Sequence, residues 1–174
     1  MREYYKEENW KHIAQENLPF LPTPFELIEI IFSFFLEKGL LKPNQILIDL
    51  GAGDGRVCLF ASEKYNLRAI GVEANNGFIK LAKIEIRQHN LKRKCKIVEG
   101  DLYNYNVSKG DYIFCFQLPT NQRYFKHVIE RVQHNAWVIS IRWPMEELNE
   151  FWDESYMVVS ESKRDFPAYI YRKK

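Results

Sequence analysis

The sequence predicts an α/β fold with a mostly parallel sheet that closes on an antiparallel hairpin, and three observations carry that expectation. From Ile46 onward, short apolar runs alternate with segments of helical periodicity. The first run, Ile46-Leu47-Ile48-Asp49-Leu50, breaks into glycine at every second position, Gly51, Gly53 and Gly55, before a helical pattern begins. That is a strand turning sharply into a helix at a place where backbone must lie close to something. The last two apolar runs, Tyr156 to Ser160 and Ala168 to Tyr171, are joined by a polar loop with no room for a crossover helix, so they pair antiparallel at the sheet edge.

Taken in order, Glu3 to Gln15 has the pattern of a short amphipathic helix, and Leu18-Pro19-Phe20-Leu21-Pro22-Thr23-Pro24 interrupts it. Thr23 as N-cap, Pro24 at the first helical position and Glu26 at the third predict a helix through Glu37, stopped by Gly39. A helix from Arg56 to Tyr65 follows the first strand, and a second strand covers Leu67 to Glu73. Next come a helix from Gly77 to about His89, a third strand from Cys95 to Val98 and a fourth from Tyr112 to Phe116. A helix near Asn121 to Val132 and a fifth strand, Trp137 to Ile141, precede the final pair. With no internal repeat, low-complexity run or long linker, residues 1–174 are expected to form one domain, with 1–40 as an N-terminal helical cap segment and 45–174 as the core.

Composition bounds the function. A chain of 174 residues with 46% hydrophobic content can bury a proper core, and 25 basic against 23 acidic residues demand no nucleic-acid partner. Cys58, Cys95 and Cys115 sit in apolar surroundings without metal spacing and read as reduced core residues of a cytoplasmic protein. His12, His89, His127 and His134 are scattered, so no metal is proposed. The apolar stretch Leu27 to Leu36 is broken by Glu29 and too short for a bilayer, and Met1 to Tyr5 opens no signal peptide, so no membrane insertion is expected.

The glycine spacing separates ligand classes. A dinucleotide site wants G-x-G-x-x-G, with a pyrophosphate on the helix N-terminus. Here the spacing is G-x-G-x-G, and two acids, Asp49 and Asp54, stand beside it, which would repel a pyrophosphate and suit a ligand with a cationic amino-acid end. No Gly-Lys-Ser/Thr follows, which excludes a Walker loop. Glu73 ends the second strand 22 residues past Gly51, where a carboxylate can accept both hydroxyls of a ribose. The third strand runs into Glu99-Gly100-Asp101-Leu102, a polar tip suited to an adenine edge.

These three tips in this order resemble the class I, seven-strand S-adenosylmethionine (SAM)-dependent methyltransferases. The resemblance implies a three-layer Rossmann-like sheet of seven strands, mostly parallel with an antiparallel C-terminal hairpin, and helices on both faces. It implies SAM as cofactor, with Asp49, Gly51 and Gly53 shaping the methionine pocket, Glu73 on the ribose, and Asp101 with the Leu102 backbone at adenine. Leu21-Pro22-Thr23-Pro24, a helix, and then Asp49-Leu50-Gly51-Ala52-Gly53-Asp54-Gly55-Arg56 look like the small archaeal protein-lysine methyltransferases and their mitochondrial relatives. In that likeness Thr23 and its neighbours fold over the methionine end of the cofactor.

The acceptor end is Cys115-Phe116-Gln117-Leu118-Pro119-Thr120. Enzymes that methylate planar amines carry an acid, amide or serine, two prolines and an aromatic there, and this chain departs at three of the four positions. An aliphatic lysine amine asks only to be neutral. At pH 7 roughly one part in 2,500 is, a cost of about 4–5 kcal/mol, and a desolvating aromatic pocket offsets part of it. Phe116 and Trp143 are the favoured pocket residues, with Gln117 beside them, and Tyr4, Tyr5 and Phe20 are further candidates. A protein lysine is therefore the expected acceptor. Alternatives are an RNA or small-molecule methyltransferase and a non-catalytic SAM-binding partner subunit. The basic run Lys80, Lys83, Arg87, Lys92, Arg93, Lys94 and Lys96, relieved by Glu85, would serve RNA phosphates, or else it is a solvated helix face next to a lysine-guarded sheet edge.

Overall fold

The computed structural model describes residues 21–116, 119 and 122–174. The expected helix over Glu3 to Gln15, the candidates Tyr4, Tyr5 and Phe20, and Gln117 of the acceptor end lie outside the described residues.

Alternation along the strands builds the molecule. In β1 (Ile46–Leu50) Leu47 faces one side and Ile48 the other, and both are buried, as a parallel strand covered on both faces requires. The remaining strands are β2 (Arg68–Glu73), β3 (Cys95–Glu99), β4 (Tyr112–Cys115), β5 (Trp137–Ile141), β6 (Trp152–Ser160) and β7 (Lys163–Lys173). They form one seven-stranded sheet in the order β3-β2-β1-β4-β5-β7-β6, the first five parallel and β7 antiparallel to both its neighbours. Strand β3 is an outer strand.

Three helices cover one face: α1 (Phe25–Glu37), α2 (Arg56–Tyr65) and α3 (Asn76–Gln88). From α1, Leu27, Ile28, Ile31, Phe32 and Phe35 are buried, and Phe35 meets Tyr112 and Trp137 edge-on at ring separations of 5.0 and 5.5 Å. The α1 helix is thus part of the core. The other face is closed by α4 (Gln122–Glu130), through Phe125, Val128 and Ile129, and by a 3-10 helix, Glu146–Phe151. No helix among the described residues is long and apolar enough to cross a membrane.

Three local expectations are corrected. Thr23 does not cap α1: the N-cap is Pro24, whose carbonyl accepts from Ile28 N–H at 3.1 Å, and Glu26 instead accepts a hydrogen bond from the Ser162 hydroxyl. The first turn is fixed by tertiary contact where a capping box would have done it locally. The closing hairpin is longer than its apolar runs, because Trp152 stacks on Tyr171 at 4.9 Å and Glu154 pairs with Arg172 at 2.8 Å, extending β6 through polar residues. The 3-10 helix had no counterpart in the pattern. Two asparagines bound the helices on this face: Asn66 ends α2 at φ 59° and Asn75 caps α3 by accepting from Gly77 and Phe78 N–H.

Candidate active site

All the expected cofactor residues gather at the C-terminal ends of the parallel strands. Gly51 sits at φ +84°, a conformation L side chains rarely adopt, and its N–H donates to the Val72 carbonyl at 2.9 Å. A Cβ there would meet only Leu102, at 3.8 Å, so Gly51 keeps open a groove between the β1 tip and the β3 tip. Gly55 has a different duty. At φ +79° its absent Cβ would lie 2.9 Å from Ala82 Cβ, and it lets α2 start against α3.

Asp49 is 4% exposed, and the one hydrogen bond to its carboxylate among the described residues is weak, from the Cys58 thiol at 3.9 Å. Burial first, then the Glu73 and Asp54 charges, push its pKa up to about 8. A carboxyl buried with no cation of its own among the described residues is a socket for one. Asp54 is not the second socket that the sequence suggested. It is consumed by Arg56, whose Nε lies 3.0 Å from both carboxylate oxygens and whose Nη2 lies 2.5 Å from Oδ2. The same guanidinium lies over the Phe25 ring at 5.2 Å, and its Nη1 donates to the Thr23 carbonyl at 3.4 Å. The sequence carried Arg56 only as the last residue of the glycine motif, without a role, and it clasps the 21–24 segment to the glycine turn. Thr23, Asp49, Gly51 and Phe116 all line one cleft of ≈ 40 Å³, room for a small polar head.

Glu73 ends β2 with its carboxylate held by three backbone amides, Gly53 at 2.8 Å, Ala74 at 2.9 Å and Asn75 at 2.8 Å. It therefore clamps the glycine turn to the start of α3. About four lone-pair sites on a carboxylate leave room for one further donor. Asp101 is exposed and accepts from Tyr103 N–H at 2.9 Å and Asn104 Nδ2 at 2.5 Å, so it fixes the turn that presents Leu102. A buried carboxyl met only by a thiol among the described side chains, a groove held open by glycine and an acid at the β2 tip together fit SAM: a cationic amino-acid end, a nucleoside and its ribose.

At the other end of the cleft, Phe116 follows β4 and is half-buried. Its ring lies 6.0 Å from Phe166, a residue of β7 that no local signal marked. Arg142, one residue past β5, lies over the Phe166 ring at 5.2 Å and the Trp143 ring at 5.4 Å. Phe116 and Trp143 are thus joined through Phe166 and Arg142 into one aromatic cluster. The basic run is exposed on α3 and at the start of β3, but Glu85 does not relieve it, being 7% exposed and turned into the interior.

A sheet of this order with this glycine turn and these acidic tips defines a class I SAM-dependent methyltransferase. The family model described as "ANTKMT methyltransferase domain" matches residues 49–151, and the chain belongs to that family. A protein-lysine N-methyltransferase of Saccharolobus islandicus (strain REY15A) is 28% identical over 116 residues, covering 66% of this chain and 70% of that protein. A Homo sapiens lysine N-methyltransferase named for an ATP synthase subunit is 27% identical over 128 residues, 73% of this chain, which spans about half (52%) of the human protein. Among solved structures, an RNA methyltransferase from Salinibacter ruber in complex with S-adenosyl-L-homocysteine superposes with a TM-score of 0.73 at 21% identity, covering 88% of this chain and 94% of that one, a likeness of fold.

Proposed function

We propose that the protein methylates lysine side-chain amines of proteins. The observation that carries this reading is the aromatic cluster of Phe116, Phe166 and Trp143 next to the cleft that holds Asp49, a desolvating surface suited to a neutral aliphatic amine. Its relatives in the archaeon and in humans support it by their names.

SAM supplies, when bound, a methyl group on a positively charged sulfur. The chain's own residues bind and orient. In this reading Asp49 balances the cationic end, with Gly51 and Gly53 admitting it, and Thr23, held by Arg56, closes over it. Glu73 accepts from the ribose while clamping the turn, and Asp101 with the Leu102 backbone meets the adenine. Phe116 and Trp143 face the acceptor, and Phe116 with Phe166 excludes water from the amine. Holding donor and acceptor in line contributes on the order of 7–11 kcal/mol in well-oriented reactions, so no strong general base is needed. The whole chain works as a single domain, in a reducing cytoplasm that would keep Cys58, Cys95 and Cys115 as the free, buried thiols they are.

The test is incubation with methyl-labelled SAM and separated protein and RNA fractions of the source cell. Label recovered as methyl-lysine is the expected outcome. Label in RNA alone would favour the second reading, which the exposed cations Lys92, Arg93, Lys94 and Lys96 support, and label in neither would point to a SAM-binding partner subunit.

A further inference from the structure

We infer that Arg142 is a specificity-determining residue that reads a carboxylate lying near the target lysine of the protein substrate. The inference rests on the protein-lysine reading above. Strands β4 and β5 run parallel with Cys115 opposite Ser140, so Phe116 and Arg142 leave the same end of the sheet almost in register. Arg142 is held there by its backbone. It stands at φ +71°, uncommon for a bulky residue, with its N–H donating to the Pro167 carbonyl at 2.7 Å, and the turn that contains it is tied by the Ser140 hydroxyl donating to the Trp143 carbonyl at 2.7 Å. Strain kept at such a position marks a side chain placed for a purpose beyond packing.

The guanidinium lies on the Phe166 and Trp143 rings, yet its N–H donors find no acceptor among the described residues. Among the described residues, the other arginines that are not exposed are served: Arg56 by Asp54, Arg131 by the Tyr103 and His127 carbonyls, and Arg172 by Glu154 and Asn135. Trp143 adds a buried Nε1–H that also lacks an acceptor. A planar fork lying over two rings, whose donors meet no acceptor among the described residues, matches a group that only accepts, in two places, in a plane: a carboxylate. Because Phe166 links Arg142 to Phe116 through ring contacts, that carboxylate belongs to the substrate next to the amine.

The test uses the full chain, labelled SAM and a set of short peptides with one central lysine, each neighbouring position carrying glutamate or glutamine in turn. For at least one position the wild-type kcat/KM should favour glutamate over glutamine on the order of tenfold, the difference lying in KM. Arg142→Gln should collapse that ratio to near one, and Arg142→Lys, which keeps charge but loses the fork, should leave an intermediate ratio. Calorimetric SAM binding by each variant confirms that it is folded. A wild type indifferent to the acid, or an Arg142→Gln enzyme that keeps the full ratio, overturns the inference and leaves lysine methylation standing. If the wild type labels the protein fraction of a cell as methyl-lysine but no peptide in the set, the local carboxylate is not what is read and the inference fails. If it labels no lysine anywhere, the lysine reading falls and takes this one with it.

Discussion

At the residue scale, Asp49 is the group whose chemistry is most visible. Its pKa is raised to about 8, chiefly by burial and then by Glu73 and Asp54, while Arg56 is committed to Asp54 and Cys58 offers only a thiol. The folded protein therefore holds a proton that the unfolded chain has released above pH 4, so unliganded stability falls as pH rises from about 4 to about 8. A cationic ligand reverses the preference and expels that proton. Cofactor affinity should accordingly rise with pH up to about 8 and then level off, and calorimetry near pH 6.5 in two buffers of different ionisation enthalpy should show close to one proton released. Asp49→Asn should abolish the release, weaken binding, and raise unliganded stability at pH 8 by about 2 kcal/mol or more. A pH-independent affinity in the wild type would contradict the assignment. Glu73 makes a second case. Its three backbone partners mean that Glu73→Ala should both lower SAM affinity at least about tenfold and loosen the fold by about 1 kcal/mol. A loss of stability with full affinity would leave it as a clamp alone.

At the scale of elements, the α2 start, the glycine turn and the 21–24 segment are held together by one buried ion pair, Arg56 with Asp54, whose side chains are 9% and 1% exposed. Removing one partner strands the other charge. Arg56→Ala should destabilise by about 3–5 kcal/mol in urea denaturation, with Arg56→Ala/Asp54→Asn recovering part of it. If the single variant proves as stable as the wild type, the clasp is ornamental. This pair also shows what the sequence could reveal. The strands, their parallel order and the acids at their tips were legible because short apolar runs and strand-end chemistry are local in the chain. The Asp54 side chain reads locally as a ligand group, and only packing shows that Arg56 claims it. Thr23 likewise carries a capping pattern that is overridden once its carbonyl is drawn to Arg56. Phe166 was illegible for a simpler reason: it reaches Phe116 from fifty residues away through β7, and no spacing announces that pairing.

At the scale of the whole molecule, parallel strands all end on one side, so in the proposed reading the β1, β2 and β3 tips serve the nucleoside and the β4 and β5 tips the acceptor, while the reversed β7 brings Phe166 back to the same end. Two titrations then share one site, that of Asp49 and that of the incoming amine, and they can be separated. With cofactor saturating, Asp49 is already ionised by its ligand, so the pH dependence of a single turnover belongs to the acceptor. A lysine that must be delivered neutral should give a rate that climbs between about pH 7 and 9, nearly tenfold per unit until the bound amine's pKa is passed. Phe116→Ala should lower that rate more than it lowers SAM affinity, and should move the rise toward higher pH, because water admitted next to Phe166 restores the amine's preference for its charged form. Rapid-quench single turnovers across this range, with SAM affinity measured in parallel, decide the matter. A rate flat in pH at saturating SAM, or a Phe116→Ala enzyme whose whole defect is in cofactor affinity, would remove the aromatic cluster from the acceptor site.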